Sequence, residues 1–133
     1  MFAAREEKDS FRPCLVVAHT GPVYAALTCR AFRRLGWDVY TAQTGPEARR
    51  LARMLDAELV VLDTALPGES GWLTCDKLTR EFPAVKVLLI DGRPTPEGDQ
   101  FAAFVGAAAL VPRQDGPAAL LPHVHGTGLP VAG

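Results

Sequence analysis

The stretch Glu58-Leu59-Val60-Val61-Leu62-Asp63-Thr64-Ala65-Leu66-Pro67-Gly68-Glu69-Ser70-Gly71 decides how this chain folds. The run Leu59–Leu62 is continuously apolar and closed by an aspartate, the pattern of a strand covered on both faces. Leu66-Pro67-Gly68 is a turn, and Ser70 is placed to cap a helix. That helix sets Trp72, Cys75, Leu78 or Thr79, and Phe82 on one face. A buried strand that feeds an amphipathic helix is the repeating unit of a parallel sheet.

Outward from this stretch the same alternation recurs. Cys14–Ala18 is a second continuous apolar run. Val23–Leu35 carries Leu27, Ala31 and Leu35 at helical spacing and ends at Gly36. Trp37–Ala42 is a β-rich hexamer. Pro46–Leu55 opens with a proline at a first-turn position and sets Ala48, Leu51, Ala52 and Leu55 on one face. Val85–Ile90 is another buried run, ending at Asp91. Gly92–Asp99 reads as loop, Gln100–Val105 as a short helix, and Ala107–Val111 as a small apolar strand. Asp115-Gly116-Pro117 is placed to cap a final helix that Pro122 stops after about one and a half turns. Five strands alternating with five helices specify an α/β fold, with a parallel sheet and helices on both faces. Residues 1–13 read as a solvated arm, 14–122 as the domain, and 123–133, rich in Gly and Pro, as a flexible tail.

Composition bounds the function. A chain of 133 residues with 48% hydrophobic content makes one domain with its own core, which excludes a disordered chain. Fourteen basic against 15 acidic residues give a net charge of −1 and no basic face in bulk, so no nucleic-acid partner is expected. Cys14, Cys29 and Cys75 have no CxxC spacing and read as core packing. No apolar segment approaches the ~18 residues of a membrane span, and the N-terminus is charged rather than signal-like. The expectation is a cytoplasmic protein without membrane contact.

In such sheets function gathers at the carboxyl ends of the strands. Ala18 and His19, Asp63, Asp91 and Arg113 stand there on four different strands, so they should converge in one pocket.

The order and spacing of several pieces are similar to a bacterial response-regulator receiver domain over roughly residues 14–121. The pieces are Gly36-Trp37-Asp38-Val39, Ala42-x-x-Gly45-x-Glu47-Ala48, the Glu58–Asp63 run, Leu66-Pro67-Gly68-x-Ser70-Gly71, and Val105-Gly106-Ala107. The resemblance implies a flavodoxin-like α/β/α sandwich with a five-stranded parallel sheet in the order 2-1-3-4-5. It also implies that Asp63 is the position that accepts a phosphoryl group from a sensor kinase. The family pairs that aspartate with two acidic residues after the first strand, which help hold Mg²⁺. A Thr or Ser ends its fourth strand, a Lys followed by a cis-proline ends its fifth, and an aromatic sits within the fifth. Here those positions hold Ala18 and His19, then Asp91, Arg113, Gln114 and Leu110.

Charge turns this departure into an expectation. Three carboxylates and a lysine leave a surplus of negative charge that Mg²⁺ balances. Asp63, Asp91 and Arg113 sum to −1, or to 0 with His19 protonated. Neither Ala18 nor an imidazole suits Mg²⁺, so binding of that ion is expected to be weak or absent. The guanidinium fork is expected to bridge Asp63 and Asp91. The reading is an atypical receiver without cofactor or catalysis, a protein-interaction module with a sensor kinase or another signalling protein as partner. A conventional phosphoacceptor using Asp63 is the alternative. A ligand-binding or enzymatic flavodoxin-like domain is the third, weakened by Ala65 where aspartate-nucleophile phosphatases place a second acid. No GxGxxG follows a strand and no GxxxxGK[ST] occurs.

Simpler roles fit the remaining residues. His19 is expected to be solvated rather than a metal ligand, and His123 and His125 to bind metal weakly at most. Arg49, Arg50 and Arg53 are expected to form a solvated face open to an acidic partner. Phe101, Phe104 and Leu110 are the candidate interaction face, since a shortened final helix leaves apolar surface uncovered. The resemblance places docking and a homodimer on the fourth helix, fifth strand and fifth helix.

Overall fold

Five strands, β1 (Cys14–Ala18), β2 (Asp38–Ala42), β3 (Leu59–Asp63), β4 (Lys86–Asp91) and β5 (Ala109–Pro112), pair in parallel in the order β2-β1-β3-β4-β5. A computed structural model describes residues 11–124. Register is set by the apolar alternation of the strands. Val16 pairs with Val60 and Tyr40, and Val61 with Leu88. Cys14, Val16, Ala18, Val60 and Leu62 face one side of the sheet, and Leu15, Val17, Leu59 and Val61 the other. All five residues of β1 and of β3 are buried, as a strand covered on both faces requires.

The first face packs against α2 (Gly45–Leu55), α3 (Gly71–Glu81) and α4 (Pro96–Phe104), through Ala48, Ala52, Cys75, Leu78 and Ala102. The second packs against α1 (Pro22–Arg34) and the C-terminal turns, through Phe32, Trp37, Leu120 and Val124. Each fully buried Leu, Val, Ile or Phe in these layers stabilises the fold by about 1.5–3 kcal/mol. All three cysteines are buried free thiols, and burial pushes that of Cys75 up to about 12.

Local signals set the helix starts. Thr44 caps α2 by accepting from the Glu47 amide, and Ser70 caps α3 by accepting from the Leu73 amide. α4 begins earlier than the sequence suggests. Thr95 caps it by accepting from the Gly98 amide and Pro96 fills the first turn, so half of the expected loop is helical. The expected fifth α-helix is absent among the described residues. Two 3-10 segments replace it, Arg113–Asp115 and Pro117–His123, the second continuing past Pro122. A 3-10 path accommodates the closely spaced prolines where an α-helix would lose its ladder. His123 belongs to this segment and Val124 is fully buried, so the ordered chain extends beyond residue 122. Residues 1–10 and 125–133, including most of the expected arm and tail and His125, lie outside the described residues. Among the described residues no helix is long and apolar enough to cross a membrane.

Candidate functional site

Asp63 ends β3 with 5% of its surface exposed. Alternation along the strand directs it, like Leu59 and Val61, toward the α1 face. Arg113, in the first residue after β5, closes over it. Nε donates to Oδ2 at 3.2 Å, and Nη2 lies 3.0 Å from Oδ1 and 3.1 Å from Oδ2. The Ala65 amide donates to Oδ1 at 2.8 Å. His19 Nε2 sits 2.9 Å from Oδ2. Both carboxylate oxygens are therefore engaged by at least two donors each. Burial alone pushes the Asp63 pKa up, but His19, the Ala65 amide and Arg113 outweigh it and hold the carboxyl at about 2.

His19 is not solvated as expected; it is 8% exposed. Its ring stacks on Tyr24 of α1, with centroids 4.8 Å apart and planes 13° apart. The Gly21 amide donates to Nδ1 at 2.8 Å, so Nδ1 is an acceptor, while the buried Nε2 lies close to Asp63 Oδ2 without a well-aligned hydrogen bond. The Tyr24 hydroxyl is buried without a well-formed hydrogen bond, and burial, with the Asp63 charge second, pushes its pKa up to about 12.

Arg113 does not bridge the two aspartates. Asp91 Oδ1 accepts from the Thr64 hydroxyl at 2.5 Å and Oδ2 from the Arg93 amide at 3.4 Å. The guanidinium instead lies over Gly92, where a β-carbon would stand 2.6 Å from Nη1. The backbone at position 92 therefore determines how closely Arg113 can fold back. Gln114 is exposed in the first 3-10 segment, and every peptide bond of the described residues is trans.

The donor set does not fit Mg²⁺. Ala18 is fully buried and offers a methyl group, His19 presents an N–H, and the Asp63 oxygens already accept from a guanidinium and an amide. Among the described residues no group of three or more His, Cys, Asp or Glu is arranged to hold a metal ion.

A second polar cluster braces the loop that follows Asp63 and had no signal in the sequence. Glu69 accepts from Arg49 Nε and Nη2 at 3.0 and 3.1 Å, from Lys77 at 3.0 Å and from the Thr74 hydroxyl at 2.6 Å. Arg49 is therefore not part of a solvated face, whereas Arg53 reaches only Glu81 at 3.9 Å with both side chains exposed. Burial raises the Glu69 pKa, but Arg49, Thr74 and Lys77 together bring it down to about 2.

The three candidate interface residues separate. Leu110 is half-buried and packs beneath Gly98 of α4, while Phe101 and Phe104 are 46% and 80% exposed on the side of α4 toward α3.

Residues 15–125 match the response regulator receiver domain family. The chain belongs to that family. It is a receiver domain of two-component signalling, with the flavodoxin-like fold and strand order of the group. The receiver domain is 36% identical over 83 residues to the probable transcriptional regulatory protein TcrX of Mycobacterium tuberculosis, covering 62% of this chain and 36% of TcrX. It is 32% identical over 76 residues to the aerobic respiration control protein ArcA of Escherichia coli, covering 57% of this chain and 32% of ArcA. The receiver domain thus spans about a third of the length of these relatives. Its backbone matches the Vibrio cholerae chemotaxis protein CheY4 with a TM-score of 0.78 at 18% identity, covering 85% of this chain and 96% of that one. A Burkholderia pseudomallei response regulator, solved with a phosphorylated aspartic acid and a calcium ion, matches at 0.76 and 23% identity, covering 86% of this chain and 67% of that one.

Proposed function

We propose that this receiver domain signals as a protein-interaction module whose state does not depend on Mg²⁺-assisted phosphorylation of Asp63. One observation carries the reading: both oxygens of Asp63 are held by Arg113, His19 and the Ala65 amide, with no acidic neighbour at Ala18 or His19 to recruit a cation. Phosphoryl transfer to a carboxylate depends on positioning and on neutralising the transferred oxygens. Here the neutralising cation is already spent on the acceptor. Asp91 adds a negative charge where the family keeps a hydroxyl. The domain then communicates through the surfaces it presents to a sensor kinase or another signalling protein.

Incubation of the full chain with acetyl phosphate and Mg²⁺, followed by intact mass, tests the reading. The expected result is no adduct. A stoichiometric phosphoryl adduct that disappears in Asp63→Asn overturns it in favour of a conventional phosphoacceptor.

A further inference from the structure

We propose that Arg113 latches the C-terminal 3-10 segments onto the α1 layer, so that the seating of residues 114–124 depends on the negative charge of Asp63. The chain leaves β5 at Pro112, forms Arg113–Asp115, turns at Gly116 with φ 76°, and continues through Pro117–His123. Leu120 and Val124 are fully buried in the layer that holds Phe32, Trp37 and Val111, and Ala119 and Leu121 pack against it. The polar side of this docking is sparse. The backbone hydrogen bonds that join the turns, Gly116 to Arg113, Ala119 to Gly116 and Val124 to Leu121, all stay within the segment. Neither 3-10 segment has a side-chain cap. Among the described residues, no side chain from Gln114 to His123 makes a hydrogen bond or ion pair with the rest of the domain. The polar tie is Arg113, whose Nε and Nη2 hold Asp63 from the first residue after β5.

The anchor fixes where the segment starts, because the Arg113 carbonyl accepts from the Gly116 amide. It has three separable parts. Asp63 supplies the charge, Arg113 the donors, and Gly92 the notch, since a β-carbon there would stand 2.6 Å from Nη1. Gly92 is not among the glycines with positive φ, so a side chain at that position acts on the guanidinium rather than on the local backbone. Charge-assisted hydrogen bonds are about twice as strong as neutral ones, so neutralising Asp63 weakens the tie without removing its oxygen. What remains is the burial of Leu120 and Val124 by a segment that lacks an α-helical ladder, and such segments open before core strands do. The latch goes beyond the reading above, because it acts whether or not Asp63 takes a phosphoryl group.

Native-state amide exchange of the full chain tests this without any phosphodonor, by mass spectrometry of peptides from residues 113–124, from β1 and from β3. In Asp63→Asn, exchange over 113–124 should quicken about tenfold more than exchange over β1 and β3. Arg113→Ala should act in the same way, and the two together should add nothing further, because they break one contact. Gly92→Ala keeps both partners and should also loosen the segment selectively. Glu69→Gln, which breaks the other cluster around a buried carboxylate, should not. Exchange over 113–124 that is unchanged in Asp63→Asn, or that rises only in step with β1 and β3, overturns the proposal. Effects of Asp63→Asn and Arg113→Ala that sum, or equal loosening by Glu69→Gln, overturn it as well.

Discussion

The guanidinium of Arg113 spans both oxygens of the Asp63 carboxylate, 50 residues away in sequence, and leaves Asp91 to the Thr64 hydroxyl. One cation therefore neutralises one carboxylate, and the second acid of the pocket stands outside the pair. The Asp63 side chain is 7% exposed and that of Arg113 35%, so the contact is screened on one side only.

Truncation of Arg113 should therefore cost stability although the residue lies at the surface. Arg113→Ala leaves Asp63 with His19 and one amide, and the expected loss is about 1–3 kcal/mol. A double-mutant cycle with Asp63→Asn, followed by urea unfolding, should return a coupling of about 0.5–3 kcal/mol. Strict additivity would mean that the pair contributes nothing to folding.

Acid sensitivity follows from the two depressed carboxyls. Asp63 and Glu69 sit at about 2 in the folded chain, against ordinary values of 3.8 and 4.5. The unfolded chain binds protons more readily, so their contribution is complete above the ordinary values and is lost as pH falls toward 2. Unfolding free energy should be flat, as far as these groups are concerned, above about pH 5 and should fall steadily below it. Glu69→Gln should flatten that slope. An unchanged slope in this variant would remove the Glu69 cluster from the account.

What the sequence made legible was local. The Leu59–Asp63 run, the Leu66-Pro67-Gly68 turn and the Ser70 cap lie within a few residues of one another, and each forms as its spacing indicates. The start of α4 was equally local, yet Gly98 in the first turn obscured the Thr95-Pro96 signal. The burial of His19 was not legible, because it depends on a ring from the next helix and on a glycine whose own β-carbon would stand 2.8 Å from the imidazole. The Arg113 fork was legible toward Asp63 but not in its leaving Asp91 aside. Its choice of Asp63 over Asp91 is set by the backbone path at Gly92 and by a hydroxyl at Thr64, neither of which a charge count includes. The Glu69 brace joins α2 to the loop after β3 across 20 residues and has no periodic signature at all.

The proton of His19 should be found on Nε2. A long-range ¹H–¹⁵N spectrum at neutral pH is expected to show the Nδ1-unprotonated tautomer, fixed by the Gly21 amide. His19→Ala removes a donor to Asp63 and should raise the Asp63 pKa from about 2, visible as a shift of the acid limb toward higher pH. A proton found on Nδ1 would contradict the contact in which the Gly21 amide donates to that nitrogen.

Restoring the missing donors should restore metal-assisted chemistry if their loss is what silences Asp63. Ala18→Asp and His19→Asp would supply oxygen ligands at the end of β1, Asp91→Thr would remove the stray charge, and Arg113→Lys would release one face of the carboxylate. The combined variant is expected to bind Mg²⁺ by calorimetry and to take a phosphoryl group from acetyl phosphate, with Asp63→Asn abolishing the adduct. Ala18 is fully buried, so circular dichroism must first show that the fourfold variant is folded. A folded variant that binds Mg²⁺ yet stays unmodified would shift the cause from the pocket's charge to the position of Asp63 itself, which the Ala65 amide fixes at 2.8 Å.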